Sequence, residues 1–216
     1  MKYLFSTSYK IFTSLMIVIL AFAAMPVSPA YAADTGLQSP TACAGWTNPA
    51  NAVSSNNVYA TTNGGGNALV CTFNIPAIPP GATINGIEVL VEGLTTGRQA
   101  AADLSWDGGG TYTGGDPNTT FGGAESTLTL GGAANTWNRA WAVGEFTAAN
   151  FRVRLTSTGG GGSTISVDHV QVRVTYTPAV PTTTVGDGTN PTNKTVSGSE
   201  TNQAVSAVYP FYEDWQ

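Results

Sequence analysis

The chain has 216 residues, of which 26 are glycine, 12 are proline and 10% are charged, and its formal net charge is −5. This length accommodates one domain with tails, and the apolar fraction of 42% provides a hydrophobic core, which excludes a wholly disordered chain. Eight basic residues without a cluster exclude nonspecific binding to nucleic acid. Two cysteines and one histidine are too few soft ligands for a structural zinc site or an iron–sulfur cluster.

Residues 1–32 are predicted to form a secretory signal peptide. Lys2 and Lys10 flank a polar opening, an apolar run follows over residues 11–25, and residues 30–32 read Ala-Tyr-Ala, the small-x-small pattern of a cleavage site. The apolar run is shorter than the ~20 residues of a membrane span, which favours cleavage over a retained anchor. We therefore expect a secreted or cell-surface protein that does not insert into the membrane after cleavage, with a net charge of −7 from 6 basic and 13 acidic residues.

Export changes the meaning of the two cysteines, because oxidising compartments form disulfides and keep them. Cys43 and Cys71 are predicted to pair rather than to remain two isolated thiols. Closing a loop of roughly thirty residues stabilises a small β domain by about 3 to 4 kcal/mol in the chain-entropy account. An oxidised pair also excludes thiol catalysis.

Alternation of apolar and polar residues predicts strands along most of the exported chain. In chain order these strands cover residues 57–62, 68–74, 83–95, 100–106, 126–130, 151–156 and 170–176. The strand over residues 83–95 has the clearest pattern, with Ile87, Val89 and Val91 on one face. Between residues 167 and 170 the apolar phase slips by one position, which predicts a β-bulge or a bend at Asp168 and His169.

Glycine-rich turns separate these strands, and no amphipathic helical stripe occurs after the signal peptide. The turns lie at residues 63–67, 108–110, 114–118 and 159–162. Short strands without helical crossovers indicate antiparallel pairing rather than a parallel sheet. We predict an all-β fold over residues 42–178, an antiparallel two-sheet β-sandwich, jelly-roll-like, with about eight strands.

One hairpin turn resembles the Asp-box, which is found in sialidase propellers and other secreted β proteins. Its Ser-x-Asp-x-Gly-x-Thr-aromatic positions are occupied by Ser105, Asp107, Gly109, Thr111 and Tyr112. The aspartate can accept hydrogen bonds from turn amides, the glycine takes a positive φ and the aromatic ring packs beneath. Sialidases repeat this box several times in a far longer chain, so the single copy implies a structural turn and not catalysis.

Several segments are similar to a module repeated in large bacterial cell-surface and secreted proteins. They are residues 46–52, 57–60, 80–89, 151–154 and 167–170. The resemblance covers most of the exported chain. It implies a β-sandwich module of extracellular proteins, often found beside adhesion or carbohydrate-binding domains and without an assigned catalytic activity.

The composition changes after residue 178. Residues 178–184 are rich in proline and threonine, which predicts an extended linker. Residues 187–195 and 203–205 resemble the opening of another surface repeat. We expect residues 179–216 to be this linker followed by the short, truncated start of a second repeat.

Hydrolytic chemistry is not expected from this chain. Asp103, Asp107, Asp116 and Glu125 lie around one hairpin region, where they are better explained as turn caps and solubilising charges than as a catalytic pair. His169 is the one imidazole and lies inside a predicted strand, so a catalytic triad is not predicted either. No cofactor is expected, and calcium held by oxygen ligands of the Gly-rich loops is left as an alternative.

The segment around Trp137 and Trp141 is the best sequence candidate for a binding site. Sugar-binding sandwiches expose aromatic faces that stack on pyranose rings, with polar side chains beside them. Asn138 and Arg139 lie between the two tryptophans and supply such groups. These four residues are therefore candidate ligand-binding residues, although burial of both rings in the core is the interpretation that we favour.

Two functional hypotheses follow. The first is a non-enzymatic structural or adhesive module of a bacterial secreted or surface protein, which predicts buried tryptophans and no deep cleft. The second is a carbohydrate-binding module, which predicts an exposed aromatic face beside polar side chains. The expected partner is an extracellular glycan or another surface protein, and neither an enzyme nor a nucleic-acid-binding protein is indicated.

Overall fold

The structure, a computed structural model, describes residues 31–114 and 121–180 in full, together with the backbone of three strands outside those ranges. Tyr31–Ala179 forms one compact unit. Within the described ranges there is no α-helix, and therefore none long and apolar enough to cross a membrane. The predicted signal peptide and most of the predicted second repeat lie outside the described residues.

Two antiparallel sheets of five strands build the unit. The first sheet has the order β1-β10-β5-β8, with β3 also beside β10, and consists of β1 (Ala33–Asp34), β3 (Ala60–Thr62), β5 (Thr83–Thr95), β8 (Ser126–Gly131) and β10 (Ile165–Thr177). The second has the order β2-β4-β9-β6-β7 and consists of β2 (Pro40–Ala44), β4 (Ala68–Phe73), β6 (Gln99–Ser105), β7 (Asp116–Thr119) and β9 (Arg152–Thr158). The predicted all-β, two-sheet antiparallel sandwich is confirmed.

Short elements complete the described chain. Two 3-10 helices lie at Pro49–Ala52 and Val143–Glu145. Beyond the compact unit, β11 (Thr182–Val185) and β12 (Lys194–Ser197) pair antiparallel with each other. The sandwich itself has ten strands rather than about eight, because the short or irregular strands β1, β2 and β7 carry no alternating pattern.

The long strands β5 and β10 pair along most of their length and supply much of the core. Ile87, Val89 and Val91 are buried, as the alternation predicted. The pairing shifts register between Val167 and His169, which confirms the predicted bulge. Because the bulge inserts one residue, Val167 and the next residue along the strand both point into the protein.

The disulfide predicted between Cys43 and Cys71 is confirmed. The two cysteines lie directly opposite each other on β2 and β4, with a sequence separation of 28 residues. The bond therefore fixes an edge strand whose own sequence, Pro-Thr-Ala-Cys-Ala, has little propensity for a strand. β2 leads directly into Trp46, which is buried in the core.

The second sheet defines two ends of the sandwich. At one end lie the turns over residues 63–67, 96–98 and 159–164, which we call the polar-loop end. At the opposite end lie residues 132–151 and the hairpin turn 105–112, which we call the aromatic end. Gln99 pairs with Thr158 and Ser105 pairs with Arg152, so β6 and β9 run from one end to the other.

Candidate functional site

The aromatic end buries the two tryptophans that were the candidates for a binding platform, as the structural-module hypothesis predicted. Trp137 is 4% exposed and Trp141 is 9% exposed. Nε1 of Trp137 donates to the carbonyl oxygen of Ile87 at 2.9 Å, and Nε1 of Trp141 donates to that of Thr136 at 2.8 Å. Both rings therefore lack an open face for a sugar in this structure. The side chain of Asn138 is exposed, and its contact with a ligand stays a prediction.

Arg139 is part of this closed arrangement. The carbon at the centre of its guanidinium lies 3.9 Å from the ring centroid of Trp106 and 4.3 Å from that of Trp141. The same guanidinium donates two hydrogen bonds to the carboxylate of Glu145, at 2.8 and 3.1 Å. A cation placed on two aromatic rings and paired with a carboxylate stabilises the fold and has few donors left for a ligand.

The hairpin turn contains the hydrogen bonds expected from its spacing. Oδ1 of Asp107 accepts from the backbone N–H of Thr111 at 2.8 Å and from the hydroxyl of Ser105 at 2.9 Å. These bonds lower the pKa of Asp107 to about 2, and those from Thr111 contribute most to the shift. Gly109 has a φ of 105°, which a residue with a side chain rarely adopts. The carboxylate is committed to the turn, and its lowered pKa is unsuited to a general acid.

The acids of this region whose side chains the structure describes do not form a catalytic pair. Asp103 accepts two hydrogen bonds from Arg154, at 2.9 Å from Nε and 2.5 Å from Nη2, and the same guanidinium lies 3.6 Å from the ring centroid of Tyr112. The side chain of Asp116 lies outside the described residues. Glu125 precedes a strand of the first sheet, apart from the hairpin. Neither of the two cavities described below is lined by a carboxylate.

Three carboxylates that the sequence patterns did not bring together meet beside the bulge of β10. Carboxylate oxygens of Glu92, Glu125 and Asp168 lie within 4.8 Å of one another. Asp168 is fully buried and accepts hydrogen bonds of 2.9 to 3.3 Å from the backbone N–H groups of residues 56–58. Desolvation is the main cause that raises the pKa of the Tyr59 hydroxyl, and a hydrogen bond to Glu125 raises it further. The bulge was the one sequence feature that pointed to this place.

One of the three carboxylates in this cluster is committed to backbone groups. Oxygen ligands suit a hard cation such as calcium, which the sequence left open for the Gly-rich loops. Here both oxygens of the Asp168 carboxylate already accept backbone N–H groups, so its role is to cap residues 56–58. We assign no metal to the cluster.

His169 contacts a hydroxyl outside the two cavities. Its Nε2 lies 2.9 Å from Oγ of Ser39, and burial lowers its pKa while the charges of Glu92 and Asp168 oppose that shift. The Asp168 carboxylate is bonded to residues 56–58 and not to the imidazole. Since neither Ser39 nor His169 lines either cavity, the pair is a hydrogen bond between β10 and the segment before β2.

The polar-loop end holds a cleft that sequence reasoning missed. Its volume is about 280 Å³. Hydroxyl and amide side chains line most of it: Thr47, Thr61, Thr62, Asn63, Asn67 and Thr164. Trp46 supplies its apolar part and donates from Nε1 to the carbonyl oxygen of Asn67 at 3.1 Å. The lining comes from four separate segments, so the only sequence indication was the Gly-rich turn at residues 63–67.

Two hydroxyls in this cleft are free to bind a ligand. The backbones of Thr47 and Thr61 pair with each other through two hydrogen bonds of 3.0 Å, which fixes both residues. Within the described part of the chain their side-chain hydroxyls make no hydrogen bond.

A second cavity of about 510 Å³ lies next to residues 74–78 and 143–148, and its lining is more apolar, with Ile75, Ile78 and Phe146 among its residues.

No protein-family model matches the chain, and no curated protein matches it. Among solved structures, it is similar to the CBM36-1 domain of a multidomain xylanase from the hindgut metagenome of Trinervitermes trinervoides, with 11% identity and a TM-score of 0.37 over 66% of this chain and 96% of that one. It is also similar to truncated AlyQ with CBM32 and alginate lyase domains, with 13% identity and a TM-score of 0.38 over 71% of this chain and 36% of that one. Similarities of this size establish no family.

Proposed function

We propose that this chain contains an extracellular, non-catalytic carbohydrate-binding domain whose ligand occupies the cleft at the polar-loop end. The observation that carries the proposal is the chemistry of the lining, which is made of threonine, asparagine and tryptophan side chains with one glycine, and has no charged side chain. Hydroxyl and amide groups both donate and accept hydrogen bonds, as sugar hydroxyls do. A lining without carboxylate, imidazole or thiol supports binding, because it offers no acid–base group and no base that would activate a threonine hydroxyl as a nucleophile.

The size of the cleft limits what it can hold. Its volume of about 280 Å³ is at the lower end for small-molecule sites, which suits one or two sugar rings or a chain end. Trp46 is 4% exposed, so a sugar would contact an edge of the indole rather than stack on its face. We therefore expect weak affinity for a single site, on the order of micromolar to millimolar dissociation constants.

The disulfide supports the extracellular location, because such bonds form and persist in oxidising compartments. The proposed organisation is a signal peptide over residues 1–32, the binding domain over residues 42–178, and a linker with the start of a second repeat over residues 179–216. This organisation is that of a bacterial secreted or surface protein, as the module resemblance implies.

A structural or adhesive module is the second candidate, and the aromatic end favours it. There the tryptophans are buried and Arg139 is paired with Glu145, which gives a closed and rigid surface. A spacer of this kind needs no ligand. It predicts that the cleft at the polar-loop end binds no glycan.

Glycan binding by the full exported chain separates the two candidates. A glycan array identifies ligands, and isothermal titration gives their affinity. Thr47→Val and Thr61→Val remove the two free hydroxyls and keep β-branched side chains of the same shape, so each should weaken binding by about 3- to 10-fold. Thr129→Val, on the exposed face of β8, is the matched control and should bind like the parent chain. Silence across the array, or binding unchanged in both cleft variants, would reject the proposed site.

A further inference from the structure

We infer that the ligand of this cleft is an acidic saccharide, and that Arg98 binds its carboxylate beneath Gly65. This inference rests on the proposed function for the sugar itself and adds the chemical class of the ligand. The observations that carry it are a buried guanidinium with one unpartnered nitrogen and a cover without a side chain.

Arg98 holds the loops of the polar-loop end together. It is 2% exposed, and its Nη2 donates to the carbonyl oxygens of Asn63 at 2.7 Å and Gly160 at 2.6 Å. Its Nε donates to the carbonyl oxygen of Ser163 at 3.0 Å. One side chain thus joins the turn 63–67 to the turn 159–164.

The charge of Arg98 has no counterion in the described part of the chain. The ion pairs there are formed by Arg139, Arg154 and Arg173, each with its own carboxylate. Nη1 of Arg98 is buried and has no hydrogen-bond partner. A buried unsatisfied donor on a charged group is unfavourable, and a carboxylate is the acceptor that a guanidinium binds best.

The guanidinium of Arg98 contacts the segments that line the cleft. Its Nη2 donates to Asn63, which lines the cleft, and its Nε donates to Ser163, which directly precedes the lining residue Thr164. A Cβ built on Gly65 would lie 3.3 Å from Nη1, so this exposed glycine covers the unpartnered nitrogen. An acidic substituent on a sugar in the cleft would reach Nη1 by displacing Gly65.

The cover is attached to Ser157 by the peptide units on both sides of Gly65. The carbonyl oxygen of Gly64 accepts from the hydroxyl of Ser157, and the N–H of Gly66 donates to the carbonyl oxygen of Ser157. Three consecutive glycines place no side chain in the way and adopt many backbone conformations. Displacing Gly65 therefore exchanges a neutral hydrogen bond to Ser157 for a charge-assisted one between Nη1 and the carboxylate.

The test uses the full exported chain and a panel of oligosaccharides containing galacturonate or glucuronate, each paired with its carboxyl-reduced counterpart. Isothermal titration should show that an acidic ligand binds about tenfold more tightly than the reduced one, and that added salt diminishes the difference. Gly65→Ala places a methyl group against Nη1 and keeps Arg98, and φ of Gly65 lies outside the left-handed region, so the variant should fold. It should lose the preference for the acidic ligand and keep its affinity for the reduced one.

Gly161→Ala is the matched control, because a Cβ there meets nothing within 4 Å and its φ also lies outside the left-handed region. It should bind like the parent chain. Equal affinity for acidic and reduced ligands, or a preference that Gly65→Ala leaves intact, would overturn the inference while the proposed carbohydrate site stands.

If no saccharide binds, the proposed function fails, and the anion site is decided separately by thermal unfolding in sodium galacturonate. Stabilisation that Gly65→Ala abolishes supports anion binding at Arg98. No stabilisation, or the same shift in both proteins, means that the position beside Nη1 takes water only.

Discussion

The two ends of the sandwich close the same pair of sheets by different means. The aromatic end is closed by packed rings: the ring centroid of Trp141 lies 5.4 Å from that of Phe146 and 5.9 Å from that of Phe151. The polar-loop end is closed by hydrogen bonds, with Arg98 bonded to three backbone carbonyl groups and Ser157 bonded to the turn above it. The packed rings cover the tryptophan faces, and the cavity beside residues 143–148 at this end has a largely apolar lining. The hydrogen-bonded loops leave polar groups at the surface, so the polar-loop end is the one suited to binding sugar hydroxyls.

The largest effect that tests this comparison is expected from Trp141→Ala. The ring contacts Trp106, Phe146 and Phe151, so its loss leaves a cavity and should lower the free energy of unfolding by about 3 to 5 kcal/mol. Urea unfolding measures the loss. The affinity of the cleft for its ligand should stay unchanged, because Trp141 lies at the opposite end.

Val58→Ala is the control for this variant, because Val58 is 51% exposed and its truncation should cost less than about 0.5 kcal/mol. A Trp141→Ala variant with stability close to that of this control would show that the rings do not hold the aromatic end. A large loss of ligand affinity would show that the two ends are coupled.

Removal of the disulfide should affect the polar-loop end more than the aromatic end. For a separation of 28 residues, Cys43→Ala with Cys71→Ala should lower the free energy of unfolding by about 3 kcal/mol. β2 leads into Gly45 and Trp46 of the cleft, so hydrogen exchange should rise at residues 45–47 first. Exchange that rises equally at residues 132–151 would contradict a local role, and a reducing agent should leave the double variant unchanged.

Local patterns predicted most of the sandwich, because strand period and burial are properties of neighbouring residues. Alternation placed β5 over residues 83–95 as observed, and the slipped phase at Asp168 marked the bulge. Strand β2 was missed because a cross-strand disulfide stabilises it and its own sequence has no alternation. Its position depends on a partner that is distant in sequence.

The candidate site was less predictable, for the same physical reason. Trp137 and Trp141 lie among polar residues in sequence, but their burial depends on Ile87 and other residues far along the chain. The cleft is lined by threonines from separate segments, and nothing local distinguishes Thr47 or Thr61 from a surface threonine. Sequence patterns identify which residues can bind a sugar, and only the fold brings them together.

The smallest effect is expected from Asp107→Asn, and its dependence on pH tests the hairpin turn at the aromatic end. The hydrogen bonds from Thr111 and Ser105 favour the ionised carboxylate and lower its pKa from 3.8 to about 2. The stability that Asp107 contributes is therefore complete above pH 3.8 and is lost as the pH falls through about 2. Urea midpoints of the parent chain and of Asp107→Asn should differ most near pH 5 and converge towards pH 2.

The effect of Asp107→Asn on hydrogen exchange should be confined to the hairpin turn. Hydrogen exchange at residues 105–112 should separate the two proteins at pH 5, whereas exchange at residues 63–67 and 159–164 should be the same in both, because the lining of the cleft has no group that titrates in this range. A difference in urea midpoint that stays constant from pH 5 to pH 2 would mean that the turn binds the neutral and the ionised carboxyl equally well.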